Sequence, residues 1–151
     1  MRKRNILTLA LLVVYLGMVG WCCFGHFSDL PDIGQDNLFG IPMDKVVHFL
    51  MFFPFPILCY LAFSGMTGRP RHTVLAVGLV FLAGCLIAAG TEIGQSFTSY
   101  RSGDALDFVA DTLALAISSI IVMIIDLRII KTHNKPKCSK EPKPPLPSPA
   151  C

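Results

Sequence analysis

The stretch TEIGQSFTSYRSGDALDFVADTLA, which begins at position 91, concentrates charge in a chain that is otherwise apolar. Its charged side chains are Glu92, Arg101, Asp104, Asp107 and Asp111. Several carboxylates close together can hold a cation, pair with a basic side chain or exchange a proton with a ligand. This stretch is therefore the first candidate for a functional site.

A second polar patch, MDKVVHF, contributes Asp44, Lys45 and His48. His48 follows Asp44 by four positions and Lys45 by three, so on a helix the three side chains share one face. A histidine beside carboxylates can act as a general base or bind a cation. The patch therefore predicts a second contribution to the same kind of polar site.

The residues of the first stretch also repeat with helical spacing. Asp107 and Asp111 follow Asp104 by three and seven positions, which predicts one acidic stripe along a helix that begins near Asp104. Glu92 and Gln95 are three positions apart and share a helix face in the same way. Each patch is thus predicted to present its polar atoms in one direction.

Helix capping is the alternative explanation for some of these acids. A carboxylate at a helix start stabilises the free N–H groups there, so capping alone can account for Asp44 and Asp104. It does not account for His48, Glu92 or Asp111. An ionised carboxylate near the middle of a membrane helix costs about 3 kcal/mol, and such residues persist where they have partners or a function.

The composition indicates which elements must position these residues. The chain has 151 residues, is 53% hydrophobic and only 15% charged, and has a mean hydropathy of +0.60; a soluble domain carries about a quarter charged residues. We predict an all-α integral membrane bundle of four transmembrane helices in one domain, residues 1–130, followed by a disordered Pro/Lys-rich tail, residues 131–151. The predicted helices span about residues 5–24, 46–66, 73–90 and 108–125.

The basic residues predict the orientation of this bundle. Eleven of the 13 Lys and Arg residues lie at the N-terminus, between the second and third segments, or after the fourth. Because cytoplasmic loops are enriched in these residues, both termini are predicted to be cytoplasmic, with Lys45 and Arg101 outside. This distribution argues against a nucleic-acid-binding surface, and nothing in it specifies an oligomeric state.

With this topology the polar residues lie at the outer ends of three helices and form one shallow site at headgroup depth. The predicted ligand-binding residues are Asp44, Lys45, His48, Glu92, Gln95, Arg101, Asp107 and Asp111. Carboxylates outnumber basic side chains in this set, which favours a cationic ligand group. His48 with carboxylates is able to hold a metal, but no H-E-x-x-H or similar spacing and no C-x-x-C pair is present, so neither a metal nor a cofactor is predicted.

These residues resemble those of the VanZ-like family of small bacterial membrane proteins. The resemblance rests on three motifs in order: DKVVHFLMFF from Asp44, EIGQSF from Glu92 with Arg101 after it, and DFVADTLA from Asp107. In the family they read D-K-x-x-H-F, E-x-x-Q-x-F followed by R, and D-x-x-A-N-T. The resemblance covers about residues 21–125.

Two positions depart from the family pattern. Asp111 stands where Asn is usual, and Thr91 stands where an acid often precedes the glutamate. The family takes its name from a member associated with low-level resistance to the glycopeptide teicoplanin. The resemblance implies four membrane helices in the bacterial cytoplasmic (inner) membrane and a role in the cell envelope, while the extra carboxylate makes this site more acidic.

Three functions fit these expectations. The first is a non-catalytic envelope protein that contacts membrane lipids and binds a lipid-linked cell-wall intermediate or a glycopeptide. The second is a membrane-embedded hydrolase or transferase acting on a lipid or lipid-linked substrate, with His48 or Glu92 as general base, Asp107 orienting the base, and Lys45 and Arg101 holding substrate oxygens. The third, a proton- or cation-coupled carrier, is least favoured because the inner halves of the predicted helices contain no ionisable relay.

Overall fold

The computed structural model describes residues 3–25, 42–63, 70–98 and 104–133, which form five helices. Their bounds are α1 Lys3–Phe24, α2 Met43–Phe52, α3 Pro54–Phe63, α4 Pro70–Ser96 and α5 Ala105–His133. No strand occurs within these ranges. Because helices satisfy their own backbone hydrogen bonds, they are the elements expected of so apolar a chain in lipid.

Four stretches of the described chain are long and apolar enough to cross a membrane: Ile6–Phe24, Met43–Phe63, Pro70–Ser96 and Ala105–Thr132. Their outer surfaces expose large apolar side chains, among them Trp21, Leu86 and Ile120. Water-soluble monomers rarely expose apolar surface on this scale, whereas lipid chains match it. The prediction of an all-α bundle with four membrane-spanning segments is confirmed.

Two of the observed helices extend well beyond the predicted segments. α4 begins at Pro70 and ends at Ser96, where residues 73–90 were predicted, and α5 covers Ala105–His133, where residues 108–125 were predicted. Charged residues near the ends lower the local hydropathy, but they do not interrupt a helix whose backbone hydrogen bonds are intact. α5 includes the first residues of the predicted 131–151 tail, and the rest of that segment lies outside the described residues.

The second span is interrupted at Phe53, between α2 and α3. Pro54 and Pro56 cannot donate the backbone hydrogen bonds of a continuous helix. In the same turn the hydroxyl of Tyr15, on α1, donates to the carbonyl oxygen of Met51. The Met51 carbonyl is not one that these prolines free, so this hydrogen bond attaches α1 beside the interruption without replacing a lost helix hydrogen bond.

α5 lies at the centre of the bundle, packed against α2, α3 and α4, while α1 packs against α3 and α4. Small residues permit the close approach of α4 and α5: Gly84 packs against Leu115, and Ala88 and Ala114 are fully buried. Small side chains are typical where membrane helices meet, because they let backbones come close. Polar side chains on the inward face of α5 are therefore held inside the bundle.

Candidate functional site

The predicted site residues meet at the end of the bundle where α2 begins, α4 ends and α5 begins; we call this the site end. The packing of α5 against both α2 and α4 brings these three helix termini together. Lys45 and His48 come from α2, Glu92 from α4, and Asp107 and Asp111 from α5. His48 and Asp111, which contact each other in this cluster, are 63 positions apart in the chain.

Lys45 joins α2 to α5 through two ion pairs. Its ammonium group donates to Asp104 Oδ2 at 2.7 Å and to Asp107 Oδ1 at 2.8 Å. Asp107 is buried, whereas Lys45 and Asp104 are partly exposed. A buried carboxylate requires such a partner because its desolvation is otherwise unfavourable, so Lys45 holds Asp107 in place.

Asp104 caps α5 and connects it to α4. Its side-chain Oδ1 accepts the backbone N–H of Leu106 at 3.0 Å, the contact expected of a helix N-cap. Its own backbone N–H donates to Glu92 Oε2 at 3.1 Å. The Lys45 ammonium, together with the Leu106 N–H, lowers the pKa of the Asp104 carboxyl from its usual value of 3.8. Capping therefore accounts for Asp104, as expected from the sequence.

Below this layer lie His48, Glu92 and Asp111, which we call the buried trio. They are 3%, 9% and 0% exposed, so all three are withdrawn from solvent. His48 Nδ1 lies 3.2 Å from Asp111 Oδ1 and 3.7 Å from Glu92 Oε1. Within the described part of the chain, Glu92 Oε1 is buried and has no hydrogen-bond partner.

The remaining predicted residues have different positions. Asp44 is exposed in the first turn of α2, where Pro42 rather than Asp44 occupies the N-cap position, and its carboxylate lies within 4.8 Å of ligand atoms on His48 and Asp107. Gln95 is buried, and its amide donates to the carbonyl oxygen of Cys23 at 3.1 Å, which ties α4 to α1. Arg101 lies outside the described residues.

These contacts bear on one predicted role. Asp107 was expected to orient a general base, but the structure places it on Lys45 and places Asp111 beside His48. Asp111, which stands where the VanZ-like family usually has Asn, is therefore the residue that contacts His48. Lys45, expected to hold substrate oxygens, is already paired with two carboxylates.

The charge of the cluster restricts what it can bind. Its acidic side chains are Asp44, Glu92, Asp104, Asp107 and Asp111. Among the described residues the cationic groups facing them are Lys45 and, when protonated, His48. Charges of one sign in a poorly solvated site attract the opposite sign. The arrangement can accommodate an ammonium group or a metal ion, and His48 beside Asp111 can accept a proton.

A second buried polar cluster was missed from the sequence. Asp126 of α5 is 3% exposed and accepts hydrogen bonds from Tyr60 at 2.8 Å and Thr73 at 2.5 Å. Tyr60 and Thr73 also line a cavity of about 110 Å³ with mostly apolar walls. The predicted fourth helix ends at about residue 125, whereas α5 continues to His133, so Asp126 fell just outside the predicted span. The sequence did show that this acid lies between an isoleucine and a leucine, which could have indicated a buried position.

Comparison with known proteins identifies the relatives of this chain. A model of the VanZ/LLP1 family matches residues 20–126. The chain is 32% identical over 85 residues to the uncharacterized protein C11E3.10 of Schizosaccharomyces pombe, a match that covers 56% of this chain and 49% of that protein. The chain thus spans about half the length of that curated relative, and no solved structure matches it. Because the family match covers well over half of the chain and includes every residue of the buried trio, the chain belongs to the VanZ/LLP1 family.

Proposed function

We propose that this chain is a non-catalytic, multi-pass protein of the bacterial cytoplasmic membrane that binds the polar part of an amphipathic envelope ligand at the site end. The ligand class is a lipid-linked cell-wall intermediate or a glycopeptide, and low-level teicoplanin resistance is one expected consequence. The fission-yeast relative carries no functional description in its name, so the bacterial envelope role is part of the proposal.

One observation carries this proposal: a polar cluster leads from the exposed end of the bundle into its interior, although the surrounding helices face lipid with apolar side chains. Asp44 is exposed, Lys45 and Asp104 are partly exposed, and Asp111 is fully buried. An amphipathic molecule needs a polar site at headgroup depth and apolar surface beside it. The polar cluster at this end of the bundle and the apolar helix faces beside it support a ligand of this kind.

The excess of carboxylates supports a ligand with a cationic group. Buried carboxylates that lack enough basic partners destabilise a membrane bundle, and an amine on the ligand offsets that repulsion. Glycopeptides and peptidoglycan precursors both carry amines. The diphosphate of a lipid-linked precursor is repelled by the same charges unless a cation lies between them.

The test is binding to the intact chain in a bilayer. We expect the chain in phospholipid nanodiscs to bind a polyprenyl-diphosphate-linked muropeptide or teicoplanin, measured against empty nanodiscs of the same lipid. Excess phosphatidylglycerol serves as the competitor. It should leave binding largely unchanged, because it lacks the amine-bearing peptide part of the two probes that the site is proposed to bind. Equal retention of both probes by empty nanodiscs would contradict the proposal.

The buried trio favours one alternative, a membrane-embedded enzyme. Asp111 beside His48 Nδ1 is the arrangement that orients an imidazole so that its other nitrogen can act as a general base. If the chain were a hydrolase or transferase, prolonged incubation with the muropeptide probe would release a cleaved or transferred product detectable by mass spectrometry. His48→Gln would abolish that product. Unchanged probe after incubation favours the binding function.

A further inference from the structure

The buried trio combines three ligand types in one small volume. His48, Glu92 and Asp111 each offer a nitrogen or carboxylate oxygen, and these atoms lie within 4.8 Å of one another. Each residue comes from a different helix, so spacing along the chain cannot reveal the group. An acidic cluster alone is common without any ion, and additional evidence is therefore needed.

Glu92 supplies that evidence. Its Oε2 accepts the Asp104 N–H, which holds the carboxylate in position. Its Oε1 points toward His48 Nδ1 at 3.7 Å, is buried, and has no hydrogen-bond partner in the part of the chain that the structure describes. A buried carboxylate oxygen without a partner is unfavourable by several kcal/mol, and native proteins rarely retain one without a reason.

The distances from His48 to the two carboxylates are close to the spacing of metal ligands. Zinc binds histidine nitrogen and carboxylate oxygen at about 2.0–2.2 Å with tetrahedral geometry, which places neighbouring ligand atoms about 3.3–3.6 Å apart. His48 Nδ1 lies 3.2 Å from Asp111 Oδ1 and 3.7 Å from Glu92 Oε1.

We propose that His48, Glu92 and Asp111 bind one divalent transition-metal ion of the zinc class, through the imidazole Nδ1 and one oxygen of each carboxylate. The imidazole nitrogen favours zinc over calcium or magnesium, which prefer all-oxygen sites. Two buried carboxylates neutralise the ion, and the ion removes their mutual repulsion. Three protein ligands leave a fourth position open for an exogenous ligand.

This metal gives the acidic site a means of binding an anion. A phosphate oxygen of the ligand can occupy the fourth position, which explains how a lipid-linked diphosphate could approach so many carboxylates. That extension rests on the proposed function, whereas binding of the metal alone does not. The two are therefore tested separately.

The experiment uses the full chain purified in detergent without a histidine tag, stripped with EDTA and titrated with Zn²⁺. We expect one equivalent per chain by calorimetry and by metal analysis after dialysis. His48→Gln, Glu92→Gln and Asp111→Asn should each weaken binding by at least about tenfold. Asp126→Asn is the matched control, because it neutralises a buried carboxylate of the same helix outside the trio and should retain the full equivalent.

A folded variant and a spectroscopic measurement separate loss of the metal site from loss of the fold. Asp111→Asn introduces the residue that VanZ-like proteins usually have there, so this variant should elute as a folded protein. X-ray absorption at the zinc edge provides an independent readout: we expect only nitrogen and oxygen ligands at about 2.0–2.1 Å, whereas a cysteine ligand would appear at about 2.3 Å.

Three results would overturn the metal site: no saturable Zn²⁺ binding, binding unchanged in all three variants, or sulfur in the coordination shell. Muropeptide binding that survives EDTA in the absence of Zn²⁺ binding would leave the proposed function intact and reject the metal. Zn²⁺ binding without muropeptide or teicoplanin binding would support the metal site and reject the proposed function.

Discussion

Glu92 is the residue whose position is hardest to explain by stability alone. It lies near the C-terminus of α4, where the helix dipole disfavours a negative charge. One of its oxygens bonds to the Asp104 N–H, but the other faces His48 without a hydrogen bond from any described residue. A residue placed against both the dipole and desolvation indicates selection for a function.

Neutralising the carboxylates tests this function. We expect Glu92→Gln and Asp107→Asn each to abolish muropeptide or teicoplanin binding while membrane levels stay near those of the parent chain. Each change keeps the side-chain size but removes a negative charge, so a purely structural role would tolerate it. Binding by nanodisc-reconstituted variants and immunoblots of membranes provide the two measurements.

Asp104→Asn is the matched control for these variants. Asp104 is partly exposed, asparagine is also a good N-cap, and Lys45 keeps its ion pair with Asp107, so this change should have little effect on binding. Near-parental binding by Glu92→Gln and Asp107→Asn would reject the site. Loss of both proteins from the membrane would assign the pair to folding instead.

Asp126 is a buried acid that we expect to contribute to stability and not to ligand binding. Tyr60→Phe removes one hydrogen bond to the buried carboxylate and should lower stability by about 1 kcal/mol. It should not affect ligand binding, because Asp126 lies in the half of α5 remote from the site end. Unfolding in detergent, compared with the exposed control Ser96→Ala, measures the effect. Impaired binding at parental stability would connect this cluster to the site end.

The contact between α4 and α5 sets the geometry of the site at the scale of elements. A β-carbon added at Gly84 would lie 2.6 Å from Leu115 Cδ2, whereas one added at Gly78 would meet nothing within 4 Å. The two glycines lie on the same helix, but only Gly84 faces α5. The bundle therefore requires a glycine at one position and not at the other.

We expect Gly84→Ala to destabilise the bundle by about 1–3 kcal/mol through overpacking, and Gly78→Ala to be neutral or to stabilise it by up to about 1 kcal/mol. Adding Leu115→Val to Gly84→Ala should recover part of the loss, since valine lacks the δ-carbons that collide. Unfolding midpoints in detergent provide the comparison. Equal stability of the two alanine variants would mean that α4 and α5 do not approach this closely.

The orientation of the bundle is a property of the whole molecule, and it decides which side of the membrane the site faces. We predict that Phe97→Cys, beside the site end and 85% exposed, reacts with an impermeant maleimide in intact cells. Lys131→Cys, near the opposite end, should react only after lysis. The distribution of the basic residues predicts this orientation. The unsubstituted chain, labelled in parallel, measures the background from its native cysteines. The reverse labelling pattern would place the site in the cytoplasm.

Much of the architecture could be predicted from the sequence because it depends on local properties. Apolar segment length determined the four spans, and helical spacing placed Asp107 and Asp111 on one face. Segment ends were less accurate, since hydropathy falls at polar residues that nevertheless continue a helix. The loss of Asp126 from the predicted fourth span shows the consequence for buried polar residues.

The sequence by itself determined the family through its three motifs. Composition and periodicity determined the four apolar segments and the polar residues near their ends. Only the tertiary structure decided which residues pair: Lys45 with Asp104 and Asp107, and His48 with Asp111. It also decided that Gln95 bonds to α1 and that Asp126 joins Tyr60 and Thr73. These contacts depend on how each helix is rotated and where the second span is interrupted, and rotation is set by packing between distant segments.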